Sequence, residues 1–409
     1  MSAYSAVLAN GQARLLILAM IPVRFGYAMA GLAMVLLIRD RTGSFALAGL
    51  GLGLFSLGAG LLSPLRGHLV DTMGQTKPLM VYLPVFCASF AILSFARDAT
   101  LLIVLCTISG CMSPPLLASS RALWRPIVGP DLVRSAYALD SIAMQASQVL
   151  GPALTAALVA AWNPEVAIWA VTIMVAIGGV LFILVPASRA WTGDRNAAGF
   201  RGAIRSPGIR VLLAISAAFG TAWGALCVGL PAISVEAEWT LNGGILLALL
   251  ALGSVLGGTW AGARAKRGPV RSLITSLALL AVALFLAAIP APLPVLLTLL
   301  FIAGLGMGPA QVFLLELIDR VSPAGSAVTA FASVVAIEGA FVGLGAYLAG
   351  RAADGGWAYA GLVVAGLAEL VAVAIVVAVQ PILNAKRQWA AESQESPTPT
   401  ETSNGTSNA

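Results

Sequence analysis

The chain has 409 residues, of which 59% are hydrophobic and only 10% charged, with a mean hydropathy of +0.94 and a net charge of +6. Soluble globular proteins carry roughly 45–50% apolar and about 25% charged residues, so a water-soluble enzyme, a fibre and a disordered chain are all excluded. The basic residues are dispersed, which argues against a nucleic-acid surface and for the Lys/Arg bias that orients a protein in a bilayer.

Twelve apolar runs, each near the roughly 20 residues a membrane helix needs, follow one another at 14–38, 44–65, 78–96, 99–120, 137–160, 163–186, 209–233, 241–263, 271–289, 294–317, 325–350 and 357–381. Span 1 carries Arg24 near its middle, with Tyr27 a turn further on. The connection after span 2 reads Gly67-His68-Leu69-Val70-Asp71-Thr72-Met73-Gly74-Gln75-Thr76-Lys77. Span 4 contains Pro114-Pro115, and span 5 contains Gly151-Pro152 together with Gln145 and Gln148. Residues 187–208 form a polar, basic stretch that reads as a cytoplasmic linker. Span 7 carries Trp223, span 8 is broken only by small residues of the kind that pack helices in lipid, and span 10 carries Pro309, Gln311 and Phe313. Span 11 holds Glu338 and span 12 holds Glu369, each near its middle. Residues 382–409 read as a cytoplasmic tail whose Ser-, Thr-, Glu- and Asn-rich end is expected to be disordered.

With the N-terminus placed in the cytoplasm, the inside segments hold 18 Lys and Arg residues and the outside segments 4. This bias predicts a multi-pass protein of the bacterial inner membrane with both termini cytoplasmic. The halves also repeat at an offset near 194. Phe25-Gly26 matches Phe219-Gly220, Met112-Ser113-Pro114 matches Met307-Gly308-Pro309, and Gly74, Lys77 and Leu79 match Gly268, Arg271 and Leu273. Two parallel six-span repeats, residues 1–186 and 209–381, predict a substrate site at mid-membrane between them and access by rocking.

Ionised groups at the bilayer centre cost at least roughly 2.5–3.5 kcal/mol each, so those inside spans are the first candidates for function. Arg24 and Glu338 lie at similar depth, about 16–20 Å from the inner surface at 1.5 Å per residue. Arg24 reads either as a cavity charge that binds substrate or tunes a carboxylate, or as half of a structural ion pair. Glu338 reads as a proton-carrying carboxylate or as a structural hydrogen-bonding group. Glu369 reads as structural, and Asp140 as loop support paired with Arg121 or Arg134. Tyr27, Gln145, Gln148, Trp223, Gln311 and Phe313 complete a largely apolar pocket suited to amphipathic or moderately hydrophobic molecules. Pro114-Pro115 and Pro309 are expected to break spans 4 and 10. No cofactor or metal is expected. His68 is the single histidine, and Cys87, Cys106, Cys111 and Cys227 lack ligand spacing. Lys77, Lys266 and Lys386 follow no glycine, so no ATP-binding loop is present.

The 67–77 connection resembles the loop between spans 2 and 3 of the major facilitator superfamily, through Gly67, Asp71, Gly74 and the basic Lys77. That resemblance implies an all-α fold of 12 membrane helices in two pseudo-symmetric six-helix bundles. It also implies a switch in which Asp71 faces a helix N-terminus across the halves and latches the outward-facing state. The chain departs from the family at Thr72, Gln75 and Thr76, where basic residues are usual, and at Ala265, where the second half lacks the acid. Gly151-Pro152 resembles, in reduced form, the signature of the family's drug/proton antiporters. The stretches 121–124 and 136–141 are similar to bacterial efflux-type members. The arginine typical of span 4 in proton-coupled members is absent. The expectation is a monomeric, proton-driven exporter of small organic molecules, with protons, substrate and lipid as its partners and drug resistance as its outcome. The alternatives are an uptake carrier or uniporter for a small anion or sugar, with Arg24 as ligand, and a lipid flippase.

Overall fold

The computed structural model describes residues 3–191, 207–238, 243–263, 268–321 and 327–392. The first half comprises α1 (Ala3–Ala9), α2 (Gly11–Thr42), α3 (Phe45–Leu61), α4 (Ser63–Met73), α5 (Thr76–Phe95), α6 (Ala99–Cys111), α7 (Leu116–Ala161), α8 (Pro164–Leu184) and α9 (Pro186–Arg189). The second comprises α10 (Pro207–Glu236), α11 (Gly244–Ala263), α12 (Pro269–Ala287), α13 (Leu293–Val321), α14 (Ala327–Asp354) and α15 (Ala360–Glu392). Ten stretches among the described residues are long and apolar enough to cross a membrane, and α3 with α4, bent by 41°, makes an eleventh. The 28-residue α14 completes twelve. Their outer faces are apolar: Leu18, Ile21, Met80, Val81, Phe95, Ile173 and Val180 are 41–72% exposed, the reverse of a soluble surface and the face lipid requires.

Helix ends are set by side chains written into the sequence. Asn10 accepts from the amides of Gln12 and Ala13 at 2.9 and 3.3 Å and starts α2, and Gly43, at φ 72°, ends it. Asp98 and Asn163 accept from Leu101 and Val166 amides and start α6 and α8. Such caps satisfy backbone donors that have no partner within the helix.

Packing repeats between the halves. In the first, α2 packs on α7 and α8, α3 on α6, and α5 on α6 and α8; in the second, α10 packs on α14 and α15, α11 on α13, and α12 on α13 and α15. The halves meet along two seams, α3 with α14 and α7 with α11. Both seams are lined by glycine. A Cβ on Gly53 would stand 2.5 Å from Gly343 Cα, and one on Gly60 2.8 Å from Ala336 O. One on Gly244 would overlap the Pro152 carbonyl. Such contact lets helix backbones approach where lipid provides no hydrophobic drive. The small-residue face of span 8 plays the same part within its half, where Gly257 and Gly253 meet α13 at Leu305 and Phe301.

Two expectations about proline fare differently. Span 4 is interrupted: α6 stops at Cys111, residues 112–115 are not helical, and the chain resumes as α7. Span 10 is continuous through Pro309, contrary to expectation. The difference is local. Pro115 pushes Pro114 out of the α region as well as removing a donor, whereas Pro309 follows Gly308 and stands alone. The interruption is also supported from outside. The Arg66 guanidinium, 5% exposed, donates to the Gly110 carbonyl at 3.0 Å and to those of Cys111 and Ala59, a cation on the α6 C-terminus. Tyr27 donates to the Pro114 carbonyl at 2.7 Å. A second bend lies inside α7 at Gly129, whose φ of 75° a side-chain-bearing residue rarely adopts.

At the end of the bundle remote from α9, the halves are tied by Asp354. At the C-terminus of α14, it accepts from Ser44 Oγ at 2.5 Å, from the Phe45 amide at 2.7 Å and from the Ala46 amide at 3.0 Å, so an anion of one half caps α3 of the other. Burial acts to raise this carboxyl; the bonds from Ser44, Ala46 and Phe45 and the Arg39 charge override it and hold it below 3.8. A depressed carboxylate adds stability above its ordinary value and loses it as pH falls through the lowered one. Closure of this end is therefore expected to be constant from pH 8 to pH 5 and to loosen only below about pH 4. Spin labels on the 2–3 and 14–15 helix connections should report a longer separation in Asp354→Ala at neutral pH. An unchanged distance would remove the tie from the account. Along the seam, Gly53→Val is expected to lower stability by about 1–3 kcal/mol through overpacking, while Gly67→Ala, inside α4 with open space at its Cβ, is expected to stabilise by about 0.5–1 kcal/mol in the same thermal-unfolding assay.

Candidate functional site

A cavity of about 330 Å³ lies between the halves. From the first half, α2 supplies Tyr27 and Leu32, α3 supplies Leu52 and Phe55, and α7 supplies Gln145, Gln148 and Pro152. From the second, α10 supplies Phe219 and Trp223, α13 supplies Met307 and Gln311, and α14 supplies Glu338. The wall is apolar except for three amides, a few hydroxyls and one carboxylate. Gln145, Gln148 and Gln311 are exposed, so the space communicates with solvent. Tyr27 is fixed in the wall by its bond to Pro114 and by an edge-on contact with Phe86 at 6.1 Å.

Six of the eight pocket residues expected from the sequence, Tyr27, Gln145, Gln148, Trp223, Gln311 and Glu338, are thus brought together. Phe313 is not among the lining residues; it is 6% exposed and packs in the core, two residues beyond Gln311 and so on another face of α13. Arg24 lies outside the main cavity and lines a side chamber of about 90 Å³ that shares Tyr27, Ala28 and Gln148 with it.

The partner of Arg24 is Asp140. Its Nη2 donates to Asp140 Oδ1, and the two side chains are 3% and 5% exposed. Arg121, half-exposed, places Nε 3.7 Å from Asp140 Oδ2. Asp140 is therefore a buried hub rather than loop support, while the expected contact with Arg121 is present. The Arg134 side chain lies outside the described residues. Arg24 Nη1 has no hydrogen-bond partner. Glu369, which the sequence reading treats as structural, is 1% exposed, with Oε2 unpartnered.

The expected switch residues divide. Gly74, at φ 82°, makes the turn into α5. Gly67 lies within α4, and among the described residues nothing stands within 4 Å of its Cβ position. Lys77 is exposed. The Asp71 side chain and Ala265 lie outside the described residues. Gln75, where the family usually has a base, is 1% exposed and donates to the Ser119 carbonyl at 3.2 Å, pinning the turn to α7. Gly151 packs against Ala28, and a Cβ there would stand 2.6 Å from the Ala28 Cβ; Pro152 sits beside it facing α11.

Residues 16–343 match the family model of the Major Facilitator Superfamily, and the chain belongs to that family of membrane transporters. An uncharacterized MFS-type transporter, y4rN of Sinorhizobium fredii, is 26% identical over 277 residues, 64% of this chain and 68% of that protein. Among solved structures, the peptide transporter POT with alafosfalin superposes with a TM-score of 0.72 at 15% identity, covering 94% of this chain and 99% of the other. A bacterial homologue of the iron transporter ferroportin, in an inward-facing state, does so at 0.70 and 16% identity, with 89% and 97% covered. The human organic anion transporter MFSD10 gives 0.63 at 17% identity, with 90% and 99% covered.

Removing one member of a buried ion pair is expected to cost about 3–5 kcal/mol, whereas replacing both with apolar residues is often neutral. Asp140→Ala should therefore lower the thermal-unfolding midpoint strongly, and Arg24→Met with Asp140→Leu should recover most of it. A double variant no better than either single one would show that the pair is not the coupled unit described.

Proposed function

We propose that this transporter exports small organic molecules by proton antiport across a bacterial inner membrane, with both termini cytoplasmic. The observation that carries the reading is Glu338, the single carboxylate among the described residues in the wall of an otherwise mostly apolar cavity at the junction of the two halves. A carboxylate there is positioned to exchange a proton with solvent and to feel an incoming molecule. Apolar walls with a few amides favour moderately hydrophobic organic cargo over sugars or metal ions. Glu369, on α15, is a second buried acid of the same half.

The rocking units are residues 1–186 and 209–381, joined by the basic 187–208 linker; α15 carries on to Glu392, into the segment assigned to the tail. Rocking about the glycine seams would break the Asp354 contact on one face. The 67–77 turn, with Asp71, Gly74 and Lys77, would close the other, and Gly151-Pro152 sits on the seam that must slide. Uniport of a small anion is the second reading, favoured by the incompletely paired Arg24 beside the cavity.

In a pump-deficient bacterial host, the native chain is expected to raise the inhibitory concentration of at least one apolar organic toxicant, and Glu338→Gln to abolish that protection at equal expression. In everted vesicles, collapsing the proton gradient should end accumulation of the same compound. Accumulation that survives both changes contradicts proton antiport and favours uniport.

A further inference from the structure

Arg24 presents more donors than its surroundings use. A guanidinium has five N–H groups. Asp140 takes Nη2, while Nη1 stays unpartnered on a side chain only 3% exposed. Asp140 faces the buried Arg24 through one oxygen and the half-exposed, solvated Arg121 through the other. A buried cation requires filled hydrogen bonds, and among the described residues nothing fills those of Arg24 Nη1, a place an anion would take.

The place for that anion exists. The side chamber walled by Arg24, Tyr27, Leu117, Met144, Ser147 and Gln148 has a volume of about 90 Å³, enough for roughly three waters at about 30 Å³ each or one small acidic group. Tyr27 is already committed to Pro114, and Ser147 to the Met144 carbonyl. Arg24 and Gln148 therefore supply the free donors. Tyr27, Ala28 and Gln148 belong to both the chamber and the main cavity, so the two spaces are contiguous.

We propose that the chamber is an anion subsite and that the cargo is an amphipathic organic anion. Its carboxylate, sulfonate or similar head binds the Arg24 guanidinium beside Gln148, while its apolar body lies against Trp223 and Phe55 in the main cavity. Asp140 holds the guanidinium in place and competes with the incoming head for it. This deepens the transport reading and rests on it for the identity of the cavity, but an equilibrium binding preference requires neither a gradient nor Glu338.

The test uses the full chain in lipid nanodiscs and two probes sharing one ring system, naphthalene-2-sulfonate and the neutral 2-naphthalenemethanol, titrated calorimetrically against empty nanodiscs. The native protein is expected to bind the sulfonate saturably and about tenfold or more tighter than the alcohol, the effect of a charge-assisted hydrogen bond. Arg24→Gln should bring the two affinities together by weakening only the sulfonate. Asp140→Asn, which removes the competitor, should tighten the sulfonate and spare the alcohol. Absence of saturable sulfonate binding, a preference that survives Arg24→Gln, or sulfonate binding unchanged or weakened in Asp140→Asn would each overturn the proposal. The last result is decisive even if Arg24→Gln fails to fold. Loss of proton-driven export with this preference intact would instead remove the antiport reading alone.

Discussion

What shapes this molecule is the cost of an ionised or unsatisfied polar group in hydrocarbon. Of 409 residues only 10% are charged, and most lie at helix ends, where Arg41 with Glu165 and Asp354 with the start of α3 bind elements together. Among the described residues, the interior holds an ion pair in the first half, Arg24 with Asp140, and two acids in the second, Glu338 and Glu369. The pair is shielded beside the central space; Glu338 is on its wall; Glu369 is buried on α15. Arg24 and Glu338 thus border one contiguous space between the halves, shielded from lipid.

The same constraint explains the seams. Helices in a bilayer gain nothing from burying apolar area against each other, so they associate by close backbone approach. Gly53 against Gly343 and Gly244 against Pro152 provide it between the halves. These smooth surfaces hold the halves without interdigitating long side chains, which suits surfaces that must slide. Strength between the halves comes instead from the periphery, where Asp354 of one half caps α3 of the other, a contact that one movement can break.

Much of the fold was legible in the order of apolar runs, because hydropathy over 20 residues reports directly on the solvent the helix meets. Arg24 and Glu338 stood out for the same reason, as charges in mid-span. Asp140 was not legible as the partner of Arg24. The two are 116 residues apart, and the register that joins them depends on the bend at Gly129, which no periodicity announces. Asp354 was hidden by a boundary: the run ends near 350, whereas the helix continues to 354, which carries the acid to the other half. Phe313 was misassigned because a span's composition does not say which face of the helix meets the cavity. Arg66 read as one more orienting charge, and its service to the α6 C-terminus follows only from the break at Pro114-Pro115, a feature that Met307-Gly308-Pro309 shares in sequence but not in conformation.

The central claim is that water reaches a cavity between two bundles while the apolar outer faces meet lipid. Single cysteines at Gln148, Glu338, Ile173 and Val180, in a background free of the four native cysteines, test it most directly through labelling by a membrane-impermeant maleimide. The account predicts rapid labelling at Gln148 and Glu338 and none at Ile173 or Val180. Equal protection at all four positions, or labelling confined to the outer pair, would contradict it.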